Sequence, residues 1–287
     1  MDITKILVAT DFSPQSDAAI RHGIHIARST GAQVLVVHVV ETPADEEGLA
    51  SVQSAIERWH ADDEARLTDE LEAQKTQDVE IEQQIVDAPS TAEGLQAVVE
   101  AHDADLTIVG STGLSGIKET LLGSTAQKVL RTVRTNILVA RGNTPPGGYQ
   151  RILIPTDFSD AAENGLQLAV ALAPPNARFD LIHFWRVPEA TRADEYSEMV
   201  IDAVGKSAKE QGMRLLQSFL QRAPNATFQS VQASPERGIQ KTFEERDYDL
   251  VVVGSYGKSK LRRWLLGSMA EYTARTAPCS VAVARGK

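Results

Sequence analysis

Apolar and polar positions along this chain fall into two alternating kinds of segment. Ile3–Ala9 is a short apolar run rich in β-branched residues, the pattern of a strand covered on both faces. Ser13-Pro14 reads as a helix N-cap followed by proline at the first helical position, and the helix runs to about Thr30, where Gly31 supplies the stop. Val34–Val40 predicts a second buried strand, Ala50–Lys75 a long helix, and Val79–Val86 a third strand. Thr91–His102 then reads as helix, Leu106–Val109 as strand, Ser124 to about Val133 as helix and Ile137–Ala140 as the last strand. The same order restarts at Arg151 and runs to Ala284. Five strands alternating with four helices predict an α/β fold with a doubly wound, five-stranded parallel sheet in each half. Ligands of such sheets bind beyond the carboxyl ends of the strands, where the strand order switches.

The halves also repeat residue by residue. Ile6-Leu-Val-Ala-Thr-Asp-Phe-Ser13 matches Ile152-Leu-Ile-Pro-Thr-Asp-Phe-Ser159 at a shift of 146 residues, and His38 matches His183 at 145. Gly110-x-x-Gly113, nine residues, then Gly123-Ser124 returns as Gly254-x-x-Gly257, nine residues, then Gly267-Ser268. Each copy follows an acidic residue and an apolar run, Asp105-Leu-Thr-Ile-Val and Asp249-Leu-Val-Val-Val. Two domains are therefore expected, at residues 1–142 and 150–287. The turn-rich stretch 143–149 links them and is short enough to predict that they pack together.

Composition narrows the class. With 42% hydrophobic and 24% charged residues the chain is core-forming, and no apolar run approaches the ~20 residues of a membrane helix. The start, Met1-Asp-Ile-Thr-Lys, lacks a signal-peptide pattern, and Cys279 is the single cysteine, so a cytoplasmic location without disulfides is expected. A net charge of −10 argues against nucleic acid as a partner. Between Asp45 and Glu82 stand thirteen acidic residues against three basic ones, which reads as a long solvated helix. His60, Asp62, Asp63 and Glu64 do not fall on one helical face, so no metal site is expected there.

The repeated residues carry a specific chemistry. Gly110 and Gly113 remove side chains where backbone must approach a ligand or take positive φ; Gly123 does so before a helix, with Ser124 as expected N-cap. The free N–H groups and positive dipole end of that helix favour an anion. Asp11 would repel phosphate beside it and suits ribose hydroxyls instead. One end of the crevice thus fits sugar and the other phosphate, which points to a nucleotide. Taken singly the residues read more plainly: Asp11 as a cap for the loop before the first helix, His38 and His183 as sheet positions, Cys279 as core. Only the constellation, present twice, lifts the nucleotide reading above these.

The chain resembles a tandem universal stress protein, the family related to bacterial universal stress protein A, in its ATP-binding branch. The resemblance rests on Gly-x2-Gly-x9-Gly-Ser, the opening Thr-Asp-Phe-Ser and the strand-two histidine, and it spans both halves. It implies the adenine nucleotide alpha hydrolase-like arrangement with strand order 3-2-1-4-5. It places adenine near the Val39 backbone, ribose on Asp11 with Ala9 and Thr10 alongside, and ribose and phosphates on Val109, Gly110, Gly113, Gly123, Ser124 and Thr125. In the second half Pro155, Thr156, Asp157 and Phe184 fall at the adenosine end, and Val253, Gly254, Gly257, Gly267, Ser268 and Met269 complete the site. The implied ligand is ATP, with ADP or AMP as alternatives, together with Mg2+. Also implied are an intramolecular pseudo-dimer through Ile137–Ala140 and Val281–Ala284 and a homodimer of tandem chains. Ala9 stands where the family often has proline, and Phe184 and Trp185 are bulkier than its usual aliphatics, an expected narrowing of the second adenine pocket. Lys258, Lys260, Arg262 and Arg263 flank the second phosphate loop, whereas Lys118 alone lies near the first.

No Gly-x4-Gly-Lys-Ser/Thr loop occurs, and no acid or base is expected close to the glycine signature, so binding and regulation fit better than phosphoryl transfer. A related ATP-pyrophosphatase would need Ser-Gly-Gly-x-Asp-Ser after strand one, where Ala9-Thr-Asp-Phe-Ser13 stands instead. A nucleotide-independent interaction module acting through the acidic surface is the remaining alternative.

Overall fold

The computed structural model describes residues 1–43, 46–74, 78–113, 122–187, 197–257 and 266–285. The chain forms two compact units, Met1–Gly148 and Tyr149–Lys287. The first contains β1 (Lys5–Thr10), α1 (Pro14–Thr30), β2 (Gln33–Glu41), α2 (Glu46–Gln74), β3 (Ile81–Ala88), α3 (Thr91–His102), β4 (Leu106–Gly110), α4 (Ser124–Thr132) and β5 (Asn136–Ala140). The second contains β6 (Arg151–Pro155), α5 (Asp160–Leu172), β7 (Arg178–Trp185), α6 (Ser197–Phe219), β8 (Ala226–Gln232), α7 (Pro235–Glu245), β9 (Leu250–Gly254), α8 (Ser268–Thr276) and β10 (Ser280–Ala284).

Strands of the first unit lie in the order β3-β2-β1-β4-β5 and those of the second in the order β8-β7-β6-β9-β10. Both are the expected 3-2-1-4-5 arrangement, and every strand pair within a unit is parallel. The order switches between β1 and β4, and between β6 and β9, and it is at such switch points, beyond the strand carboxyl ends, that this fold places its ligand crevice. The central strands are continuous apolar runs with almost no solvent exposure, as a sheet covered on both faces requires. Among the described residues no helix is long and apolar enough to cross a membrane.

Local chemistry fixes the element ends. Ser13 caps α1 by accepting from the Ser16 N–H with Pro14 behind it, and Gly31 ends the helix at φ 74°, a conformation that costs glycine little. The acidic residue before each signature strand has a structural role. Asp105 accepts from the Thr4 N–H and hydroxyl at 2.9 and 2.8 Å, and Asp249 accepts from the Gln150 and Arg151 N–H groups at 2.9 and 3.0 Å. Each carboxylate thereby ties the start of one central strand to the start of its neighbour, and β1 begins at Lys5 rather than at Ile3.

Candidate functional site

Each crevice is built on the Thr-Asp-Phe-Ser turn that leaves the first strand of its unit. In the first unit the Thr10 hydroxyl accepts from the Phe12 N–H (3.1 Å), Asp11 Oδ1 from the Ser13 N–H (3.2 Å) and the Ser13 hydroxyl from the Ser16 N–H (3.2 Å). The second unit repeats this with Thr156 and Phe158 (3.1 Å), Asp157 and Ser159 (3.1 Å), and Ser159 and Ala162 (3.3 Å). These caps hold Phe12 and Phe158 at φ 60° and 61°, a left-handed conformation that costs a non-glycine residue about 1–2 kcal/mol. The histidines act here too. His38 Nδ1–H donates to the Thr10 carbonyl at 2.9 Å and His183 Nδ1–H to the Thr156 carbonyl at 2.7 Å, each ring lying 4.5 or 4.3 Å from its turn phenylalanine. The two imidazoles position the turn.

The glycine signature works differently from the expectation. None of Gly110, Gly113, Gly123, Gly254, Gly257 or Gly267 has positive φ; the requirement is close approach. A Cβ on Gly110 would lie 2.9 Å from the Gln15 backbone, and one on Gly254 would lie 2.6 Å from that of Ala161. The first glycine therefore lets the strand end dock on the first turn of α1 or α5. The third brings the helix start onto the loop: the Gly123 N–H donates to the Ser111 carbonyl (2.7 Å) and that of Gly267 to the Ser255 carbonyl (2.6 Å). The second glycine faces the acid. A Cβ on Gly113 would overlap Asp11 Oδ2, and one on Gly257 would lie 2.7 Å from Asp157 Oδ2. The expectation of no acid near the signature is thus corrected, because the sheet brings β1 and β4 side by side. Each aspartate caps its loop with one oxygen and rests on the second glycine with the other, so the loop-capping reading of Asp11 is borne out and its second oxygen faces the glycine loop. Ser124 and Ser268 are also not N-caps. Gly123 and Gly267 occupy that position without a side-chain cap, and the serines are the first residues of α4 and α8.

The second crevice is a cavity of about 230 Å³. Its wall contains Pro155, Thr156, Asp157 and Phe184 together with Val253, Gly254, Gly257, Gly267, Ser268 and Met269. The bulk of Phe184 is accommodated by α7, where a side chain on Gly238 would overlap its ring, and Trp185 packs against Gly205 of α6. Ala162, Pro235, Tyr256, Ala270 and Thr273 also line the cavity and were not expected. Tyr256 lies inside the Gly-x-x-Gly loop and was within reach of the motif. The helical residues needed the packing of α5, α7 and α8 against the sheet, which no local pattern encodes.

In the first unit, strand register sets Thr10 beside His38 and Gly110 beside Ala140. Ala9 ends β1 with Thr10, Val39 lies near the end of β2, and Val109 and Gly110 end β4. Ser124 and Thr125 open α4, and Val39 packs against Gly94 of α3 much as Phe184 packs on Gly238. The acidic helix α2 is not simply solvated. Glu70 Oε2 accepts from the Thr10 hydroxyl at 3.1 Å, Asp63 Oδ2 lies 3.4 Å from His38 Nε2, and the Arg66 guanidinium stacks 4.1 Å from the Phe12 ring centre. Burial holds the Glu70 carboxyl above its ordinary pKa, the Thr10 hydroxyl opposes this, and the negative charges of Asp17 and Asp11 add to the rise. Lys118, Lys258, Lys260, Arg262 and Arg263 lie outside the described residues.

Comparison with known proteins agrees with this architecture. The model of the universal stress protein family matches residues 2–141 and again 148–285. Universal stress protein Rv2623 of Mycobacterium tuberculosis is 25% identical over 98% of this chain and 96% of its own length. Universal stress protein YxiE of Bacillus subtilis is 26% identical over 48% of this chain and 99% of its own length, and so corresponds to a single half. The crystal structure of a universal stress protein from Archaeoglobus fulgidus covers 98% of both chains at a TM-score of 0.66 and 18% identity, a likeness of fold. The repeated turn, the twice-used glycine signature and the family match over nearly the whole length together establish that this chain belongs to the universal stress protein family.

Proposed function

We propose that the protein binds an adenine nucleotide in the crevice of each unit and acts as a regulatory stress-response protein rather than as a phosphoryl-transfer enzyme. The observation that carries this reading is the second-unit cavity, whose wall contains every residue that the sequence assigned to a nucleotide in that half. Its volume is below the 300–1,000 Å³ of pockets that enclose a whole ligand, which fits burial of the nucleoside with phosphates at the mouth. There the uncapped first turn of α8 offers N–H groups and a positive dipole end. Asp157, resting on Gly257, suits ribose hydroxyls between the two. ATP with Mg2+ is the expected ligand, and ADP or AMP would use the same nucleoside contacts. The pseudo-dimer through the last strands and a homodimer of tandem chains are carried by family resemblance alone.

The test is to denature freshly purified protein and quantify released adenine nucleotide by chromatography, followed by titration with ATP and Mg2+. Two equivalents per chain are expected. Gly113→Val and Gly257→Val, which drive a side chain into Asp11 or Asp157, should each remove one equivalent. No nucleotide at purification and none bound on titration would overturn the reading in favour of an interaction module.

A further inference from the structure

The wall of the second crevice contains a hydroxyl with no partner among the described residues. Thr273 is fully buried, lines the cavity, and its Oγ1 has no hydrogen-bond partner among the described residues. Helical threonines ordinarily return their hydroxyl to a carbonyl one turn back. In this unit Thr242 does so to Gly238 and Thr276 does so to Tyr272, both within 2.9 Å. Thr273 does not, although it shares a helix with Thr276. A buried hydroxyl without a partner destabilises the empty protein unless something arrives to satisfy it.

Its position says which part of a ligand it would meet. Thr273 lies five residues beyond Ser268, about 7.5 Å along the axis from the helix start at 1.5 Å per residue. That is too deep for a group held by the first-turn N–H groups. Pro155, Ala162, Phe184, Pro235 and Ala270 surround the same cavity with apolar surface. A hydroxyl deep in a wall that combines this apolar surface with the polar groups of Thr156, Asp157, Tyr256 and Ser268 fits a flat heterocycle with polar edge atoms. At the equivalent position of the first unit, 144 residues earlier, stands Val129, also fully buried.

We propose that the Thr273 hydroxyl hydrogen-bonds the base of the nucleotide held in the second unit, so that the two units differ in how they grip the nucleoside. This rests on the nucleotide reading of the crevice. Because threonine both donates and accepts, it secures a polar ring edge without dictating which polar atom is met.

The experiment compares Thr273→Val and Thr273→Ser in the full chain carrying Gly113→Val, so that only the second crevice reports. Calorimetric titrations use ATP, ADP, AMP and adenosine. Thr273→Val should weaken all four by the same factor, about 5- to 20-fold, and Thr273→Ser should restore most of the loss. In the absence of ligand the valine variant should melt about 2 °C or more above its parent, because the unpaired hydroxyl is gone. Unchanged affinities would overturn the proposal, as would a loss that grows with phosphate number. A lower melting temperature of the empty valine variant would mean that the hydroxyl is already satisfied within the protein, and would also overturn it. If the Gly113→Val parent bound none of the four ligands, the nucleotide reading itself would fall, a result distinct from parent binding that the valine leaves intact.

Discussion

The two units share a chain plan and a turn geometry, yet they surround that turn with different chemistry. At the offset of 145 residues given by the registers of β2 with β3 and of β7 with β8, Asp63, Arg66 and Glu70 of α2 correspond to Ala208, Gln211 and Leu215 of α6. The first helix reaches the turn with a carboxylate beside His38, a stacked guanidinium and a second carboxylate on Thr10. The second packs with apolar and small residues: a side chain on Gly212 would overlap Phe228, which in turn lies 6.3 Å from Phe158. Under α1 and α5 the contrast recurs. His22 is buried and directs Nε2 to the Gly142 carbonyl at 3.3 Å, while Leu168 fills the equivalent place in the second unit. The turn is reproduced because both units repeat the residues that make its hydrogen bonds, the Thr-Asp-Phe-Ser segment and the histidine of the neighbouring strand; the surroundings diverge because any side chains that fill the same space support it. The first unit thereby buries an imidazole where the second buries a leucine.

The largest effect expected from this contrast is acid lability confined to the first unit. Burial, reinforced by the charges of His25 and Arg21, pushes the His22 pKa down to about 4, and its contact with the Gly142 carbonyl only partly opposes this. The folded value lies below the unfolded one, so the unfolded chain takes up the proton first. Stability contributed by the neutral ring is complete above pH 6.5 and is lost as pH falls toward 4, amounting to about 3 kcal/mol. Hydrogen exchange followed peptide by peptide should show β1 and β4 losing protection over that window while β6 and β9 hold. His22→Leu should abolish the difference, and equal lability of the two units would break the comparison.

A middle-sized effect concerns the first signature glycine. Gly254→Ala meets the Ala161 backbone at 2.6 Å, and Gly110→Ala meets that of Gln15 at 2.9 Å. Each should cost about 1–3 kcal/mol by overpacking, the second-unit variant more, as read by urea denaturation. A neutral Gly110→Ala would mean that this glycine serves something other than docking of α1.

The smallest effect sharpens the role of α2. The folded-state pKa of Glu70 is raised, so its charged form is disfavoured in the fold, and any stability it adds at acid pH is lost as pH rises through that pKa. Glu70→Gln keeps a partner for Thr10 and removes the charge. It should raise the stability of the first unit by about 0.5 kcal/mol at pH 7 and leave it unchanged near pH 3. A loss at pH 7 would show that the carboxylate itself supports the turn.

Much of this architecture was legible from residues alone. Ser13-Pro14 and Gly31 marked the ends of α1, Thr91–His102 matched α3 residue for residue, and the duplicated glycines located both loops. Such signals are local: a cap, a fixed φ or an apolar run acts within a few residues and is written in their order. The sequence by itself thus determined the family, the alternation of elements and the residues that converge beyond the strand ends. Only the tertiary structure decided what those residues touch. Gly113 needs no side chain because Asp11 lies across from it, Gly110 because α1 passes beneath it, and Glu70 belongs to the turn because α2 folds back over β1. Thr273 sits five residues into its helix, unremarkable in any local pattern, and becomes notable only when the sheet and α7 close around it and leave its hydroxyl unpaired. Contacts between segments far apart in the chain follow from packing, and packing is a property of the whole sequence rather than of any stretch of it.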